Sequence, residues 1–98
     1  MDRSTALKRL KAHEAELRAM GVVALSLFGS VARDEAGPES DVDVAVRLDH
    51  GRGIDLLDFA EINLKLSDVL GTKVDLISEP ARKPRFQAEI DRDRVHAF

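Results

Sequence analysis

The sequence predicts an α/β (α+β) fold, a small mixed β-sheet of three or more strands flanked by helices, and three observations carry that expectation. Three short runs rich in β-branched residues, Val22–Phe28, Asp41–Leu48 and Lys73–Ile77, alternate with stretches whose apolar residues recur at helical spacing. Glycine or proline punctuates most of the junctions between them. At 98 residues the chain suits a single domain, 1–98, and holds no segment long enough to link two.

Ser4 is placed to cap a first helix, Thr5 to Met20, along which Leu7, Leu10, Leu17 and Met20 recur at helical spacing before Gly21 stops it. Val22–Phe28 then reads as a buried central strand. Gly29 closes it, and Ser30–Asp34 forms a short helix that ends before Gly37-Pro38. From Asp41 the alternation is clean, with Val42, Val44, Val46 and Leu48 on one face and Asp41, Asp43, Ala45 and Arg47 on the other. A turn at Gly51-Arg52-Gly53 leads to Ile54–Leu70, apolar around most of its circumference and suited to a helix lying over a sheet, with Gly71 as its stop. Lys73–Ile77 is a third strand, with Asp75 on the face opposite Val74 and Leu76. Pro80 and Pro84 precede a final helix through Phe86, Ile90 and Ala97.

Composition narrows the chemistry. Fifteen basic and eighteen acidic residues give a net charge of −3, without the positive field of a dedicated nucleic-acid binder, so no direct nucleic-acid partner is expected. The basic tract Arg82-Lys83-Pro84-Arg85 reads as a solvated loop entering a helix, with a phosphate or partner contact as the alternative. No cysteine is present, which excludes disulfides and thiolate metal sites and leaves oxygen or imidazole as metal ligands. The longest apolar stretch is far below the roughly 18 residues of a membrane span, and no charged-then-apolar leader opens the chain, so a cytoplasmic protein with no membrane contact is expected.

Asp41 and Asp43 lie two apart on one strand, so both carboxylates leave the same face with α-carbons about 6.5 to 7 Å apart. Two neighbouring carboxylates repel, and water, a basic partner or a cation must compensate them. Hard oxygen donors without adjacent histidine favour magnesium, or manganese, over zinc. An Asp-x-Asp pair on a solvent-facing strand is the ordinary alternative. Asp75 joins the pair if its strand is the neighbour. Gly29-Ser30 stands where a strand gives way to a helix; glycine permits close approach of the backbone, and free amides and a hydroxyl can donate to phosphate. An ordinary strand-to-helix turn would look the same.

Taken together, Gly29-Ser30, ten intervening residues and Asp41-Val42-Asp43 resemble the signature of the nucleotidyltransferase superfamily that shares the DNA polymerase β catalytic fold. The longer strings Gly29-Ser30-Val31-Ala32-Arg33, Ser40-Asp41-Val42-Asp43-Val44 and Val74-Asp75-Leu76 resemble its minimal nucleotidyltransferase (MNT) branch, the small antitoxin partners of HEPN-domain toxins. The resemblance spans nearly the whole chain, to the run Ile90-Asp91-Arg92-Asp93-Arg94-Val95. It implies a polymerase β-like fold and nucleotide contacts at Gly29, Ser30, Arg33 and Ser40. It also implies that Asp41, Asp43 and Asp75 are the catalytic, metal-holding carboxylates.

The activity implied is transfer of AMP from ATP to a tyrosine hydroxyl of a cognate HEPN ribonuclease toxin, with which the chain would assemble. Two readings stand beside it: a non-catalytic antitoxin that silences the toxin by covering it, and a transferase acting on a small molecule. Arg33 is placed either for phosphate or for an ion pair with Asp34 or Glu35. Arg47, on the face of Asp41 and Asp43, is placed either for phosphate or as their charge partner. Asp34 stands where many relatives carry glycine, which leaves open whether it weakens phosphate binding or faces solvent. His13, His50 and His96 are scattered and receive no ligand role.

Overall fold

A computed structural model describes residues 1–98. The elements run α1 (Arg3–Ala12), α2 (Glu14–Ala19), β1 (Val22–Phe28), α3 (Gly29–Ala32), β2 (Val42–Leu48), α4 (Leu56–Leu70), β3 (Val74–Ser78), α5 (Pro84–Asp93) and β4 (Val95–His96), with a single 3-10 turn at His50–Arg52. The four strands form one mixed sheet in the order β3-β2-β1-β4. β1 is antiparallel to both β2 and β4, while β2 and β3 are parallel. A parallel pair needs a crossover connection, which α4 supplies.

The sheet has two unlike faces. On one, Leu25, Leu27, Val42, Val44, Val46 and Val74 pack against Ala6, Leu10 and Leu17 of α1 and α2 and Ile62, Leu66 and Leu70 of α4, forming the main core. The other face carries a cluster of only three buried residues, Phe28, Ala45 and Ile90, the last from α5. α5 therefore covers part of that face and leaves the neighbouring strand ends open. The alternation of β2 is as expected: its valines are buried in the main core and Arg47 is exposed.

Several boundaries differ from the sequence reading, four of them with a visible cause. Asp2, not Ser4, caps the first helix, its carboxylate accepting from the Thr5 amide at 2.7 Å. That helix is also two: His13 leaves helical geometry at φ −106° and ψ 15°, and its amide turns back to the Leu10 carbonyl. α4 starts at Leu56 rather than Ile54, because Asp55 and Asp58 exchange reciprocal hydrogen bonds with each other's backbone amide, closing a capping box. The last helix ends at Asp93 instead of continuing to Ala97. Arg94 is pulled out of helical conformation by the buried Glu79, to which its Nη1 donates at 2.7 Å, and Val95–His96 then pairs with Ser26 and Leu27 as a fourth strand.

Gly71 ends α4 at φ +70°, the left-handed cap expected of it. No helix is long and apolar enough to cross a membrane.

Candidate active site

The strand register builds the site. Phe28, the last residue of β1, lies opposite Asp43 of β2, and Asp43 lies beside Asp75 of β3. The neighbour relation on which Asp75 depended is thus present in the fold. At the end of β1 the chain turns through Gly29 at φ +72°, and a β-carbon built there would overlap Asp43 Oδ2. Both its conformation and the close approach of the carboxylate restrict this position to glycine.

Gly29, Ser30, Arg33, Asp43 and Asp75 line one cavity of about 600 Å³, closed on its other side by Phe86, Glu89, Arg92 and Asp93 of α5. Asp41 stands just ahead of β2, half-exposed, with Lys73 Nζ 3.8 Å from its carboxylate. Ser40 lies outside the cavity, and its Oγ accepts from the Gly37 amide at 3.1 Å, fixing the loop that leads into β2. Arg33 donates through Nε to Glu35 at 3.1 Å and through Nη1 to Asp93 at 2.6 Å. It makes the ion pair with Glu35, not Asp34, and still faces the cavity.

Asp34 and Arg47 fall elsewhere. Asp34 adopts φ +61°, a left-handed conformation that glycine takes without strain, and its carboxylate accepts from the Arg3 amide at 3.2 Å. It does not line the cavity. Arg47 is not the charge partner of Asp41 or Asp43. It projects from the far end of β2 into a separate cleft shared with Glu79, whose carboxyl is held below its usual range chiefly by hydrogen bonding from Arg94, with Arg47 adding least.

Electrostatics mark Asp43 out. Burial, then the nearby carboxylates of Asp75, Asp41 and Glu89, push its pKa up from 3.8 to about 6, with Arg33 opposing. A cation bound among these carboxylates would relieve that crowding of like charge. The donor set fits a hard divalent ion: three aspartates, two of them in register, with no sulfur or histidine among them. As the side chains stand, no three of them converge into a chelating group, because Asp41 leans toward Lys73.

Sequence reasoning had no means of placing the α5 wall. Phe86, Glu89 and Asp93 recur at helical spacing and share a face, a signal present in the sequence whose meaning depends on how α5 docks.

An alanine at position 29 is expected to displace the Asp43 carboxylate and force a left-handed residue, costing about 1 to 2 kcal/mol of stability. Nucleotide binding, measured by calorimetry on the folded variant, should fall with it. Unchanged affinity would mean that Asp43 can move without consequence.

Residues 7–96 match the nucleotidyltransferase domain family. The protein adenylyltransferase MntA of Thermococcus cleftensis is 38% identical over 88 residues, covering 89% of this chain and 87% of its own length. A solved structure, provisionally described as a minimal nucleotidyltransferase, superposes with a TM-score of 0.80 at 38% identity, covering 97% of this chain and 95% of its own. The MNT antitoxin solved with the tri-AMPylated HEPN toxin of Shewanella oneidensis shares the fold at a TM-score of 0.66 and 19% identity, covering 94% of this chain and 71% of that one. The chain belongs to the nucleotidyltransferase domain family and, within it, to the minimal nucleotidyltransferases.

Proposed function

We propose that this chain is an antitoxin adenylyltransferase, transferring AMP from ATP to a tyrosine hydroxyl of a cognate HEPN toxin and so neutralising it. The observation that carries this reading is the meeting of Gly29-Ser30 with the registered pair Asp43 and Asp75 at one cavity. The named relatives support the acceptor class: one is a protein adenylyltransferase, and another is an antitoxin solved beside an AMPylated toxin.

In this mechanism Gly29 lets the backbone approach the triphosphate, while the Ser30 hydroxyl and the Arg33 guanidinium donate to its oxygens. Ser40 contributes by holding the loop ahead of Asp41. Asp41, Asp43 and Asp75 would hold magnesium, or manganese, which when bound makes the incoming hydroxyl more acidic and neutralises charge on the departing pyrophosphate. The tyrosine oxygen forms a bond to the α-phosphorus as the bond to pyrophosphate breaks, and the hydroxyl proton passes to the Asp75 carboxylate.

The test combines the purified chain, the HEPN protein encoded beside it, ATP and magnesium, followed by intact-mass spectrometry. The expected product is toxin heavier by one or more AMP units. Unmodified toxin in the presence of folded enzyme would overturn the proposal.

A further inference from the structure

Two arginines face the cavity, and one carboxylate, itself covered by them, holds them both. The Asp93 side chain is 6% exposed. It accepts from Arg33 Nη1 at 2.6 Å on one side and from Arg92 Nε and Nη2 at 3.1 and 3.3 Å on the other. Arg33 follows α3 and Arg92 belongs to the last turn of α5, so this carboxylate also ties the two helices together. Like-charged guanidiniums would otherwise separate into solvent.

Their donors are not consumed. A guanidinium carries five N–H groups; Arg33 uses two of them, on Glu35 and Asp93, and Arg92 uses two on Asp93. Each retains three. Arg92 is 67% exposed, so its remaining donors are accessible, and nothing in the core depends on it. The cavity lining accordingly carries four carboxylates, Asp43, Asp75, Glu89 and Asp93, and two guanidiniums, Arg33 and Arg92, with Asp93 taken up by both guanidiniums. Such a mixed lining suits a polyphosphate bound with a divalent cation: the cation meets Asp43 and Asp75, and the outer phosphates meet the free donors of Arg33 and Arg92.

We infer that Arg92 is a second polyphosphate-binding residue and that Asp93 is a positioning residue that presents Arg92 and Arg33 as a pair. The inference rests on the nucleotidyltransferase reading of the cavity and adds residues of α5 to it.

The test is calorimetric titration of the full chain, in magnesium, with ATP, inorganic tripolyphosphate and adenosine. Arg92→Gln should weaken ATP and tripolyphosphate about tenfold, the loss of one good charge-assisted contact, and leave adenosine within about twofold. Arg82→Gln makes the same change of net charge off the cavity and should leave all three ligands unchanged.

Asp93→Asn is the sharper variant. It makes the cavity more positive by one charge, so simple attraction predicts tighter polyphosphate binding, whereas loss of positioning predicts weaker binding and a higher KM for ATP. Tighter binding overturns the role of Asp93. Equal losses for adenosine and tripolyphosphate would show a collapsed pocket and overturn it too. An Arg92→Gln protein that holds tripolyphosphate as well as wild type overturns the role of Arg92. Because Arg92 is exposed, that variant folds whatever the fate of Asp93→Asn. Wild-type protein that binds none of the phosphate ligands would instead overturn the nucleotidyltransferase reading, and this inference with it.

Discussion

Asp43→Asn protein is expected to lose AMP transfer by about a thousandfold, some 4 kcal/mol of barrier, and yet to melt at a higher temperature than wild type when metal is absent at pH 7. The two effects share one cause. The Asp43 carboxyl is raised from 3.8 to about 6 by burial and by Asp75, Asp41 and Glu89, so the folded chain holds that proton more tightly than the unfolded chain does. Stability therefore falls as pH rises from 3.8 through 6, and the whole penalty is present at neutral pH. Discounted for partial exposure to solvent, it is about 1 to 2 kcal/mol, or several degrees of melting temperature for a domain of this size.

Asparagine carries no charge and escapes the penalty. Melting curves in a chelator between pH 4 and 8 should show the two proteins converging near pH 4, separating as pH rises toward 6 and staying a constant interval apart well above it. Magnesium should raise the wild-type midpoint by mass action and the variant's hardly at all. A variant that melts lower at pH 7 would show that Asp43 is already compensated. Neutralisation of the toxin retained at one-to-one dose, with no AMP transferred, would move the chain to the class of antitoxins that only bind.

Arg94→Met is expected to cost about 3 kcal/mol, the usual result of stranding one member of a buried ion pair, and to lower the midpoint by more than about 10 °C. Glu79 is 7% exposed and accepts from Arg94 Nη1 at 2.7 Å and from Gln87 Nε2 at 2.9 Å. The same guanidinium donates to the hydroxyl of Ser26, itself 1% exposed, at 3.2 Å. Losing the arginine leaves a buried carboxylate and a buried hydroxyl short of donors. The double variant Glu79→Met/Arg94→Met should recover most of the loss, since apolar side chains of similar volume replace such pairs well.

Acid titration checks the same pair. Hydrogen bonding from Arg94 holds the Glu79 carboxyl below its usual value, so its stabilisation is present above pH 4.5 and is lost as pH falls through the depressed value. The double variant should lack that acid-sensitive component. A single variant as stable as wild type would show that α5 and β4 are held by something else.

What was legible in the sequence was local and periodic. The faces of β2 followed from alternation, and the relation between Gly29-Ser30 and Asp43 from a fixed interval joining two adjacent strands. Asp75 was legible in phase but not in place, because the order of β2 and β3 is decided by where α4 crosses and not by any residue of either strand. The α5 wall was hidden for a similar reason: Glu89, Arg92 and Asp93 look like any charged helix surface until Ile90 fixes which side faces the sheet. β4 is two residues long, too short to show a period, and it follows an arginine, Arg94, whose bond to Glu79 no local pattern announces. Arg47 misled because sharing a face with Asp43 says nothing of the distance along the strand.

The parallel register of β2 and β3 also decides how the chemistry can fail. A slip of one residue would turn Val74 and Leu76 out of the core and Asp75 into it, and a slip of two would carry Asp75 about 6.5 to 7 Å along its neighbour, out of reach of any ion held by Asp43. Between the native alignment and these there is no intermediate, so the strand pair offers no half-working arrangement for partial unfolding to occupy. Activity measured through a urea titration should then follow the fraction of folded molecules, an all-or-none enzyme whose output reports its own population.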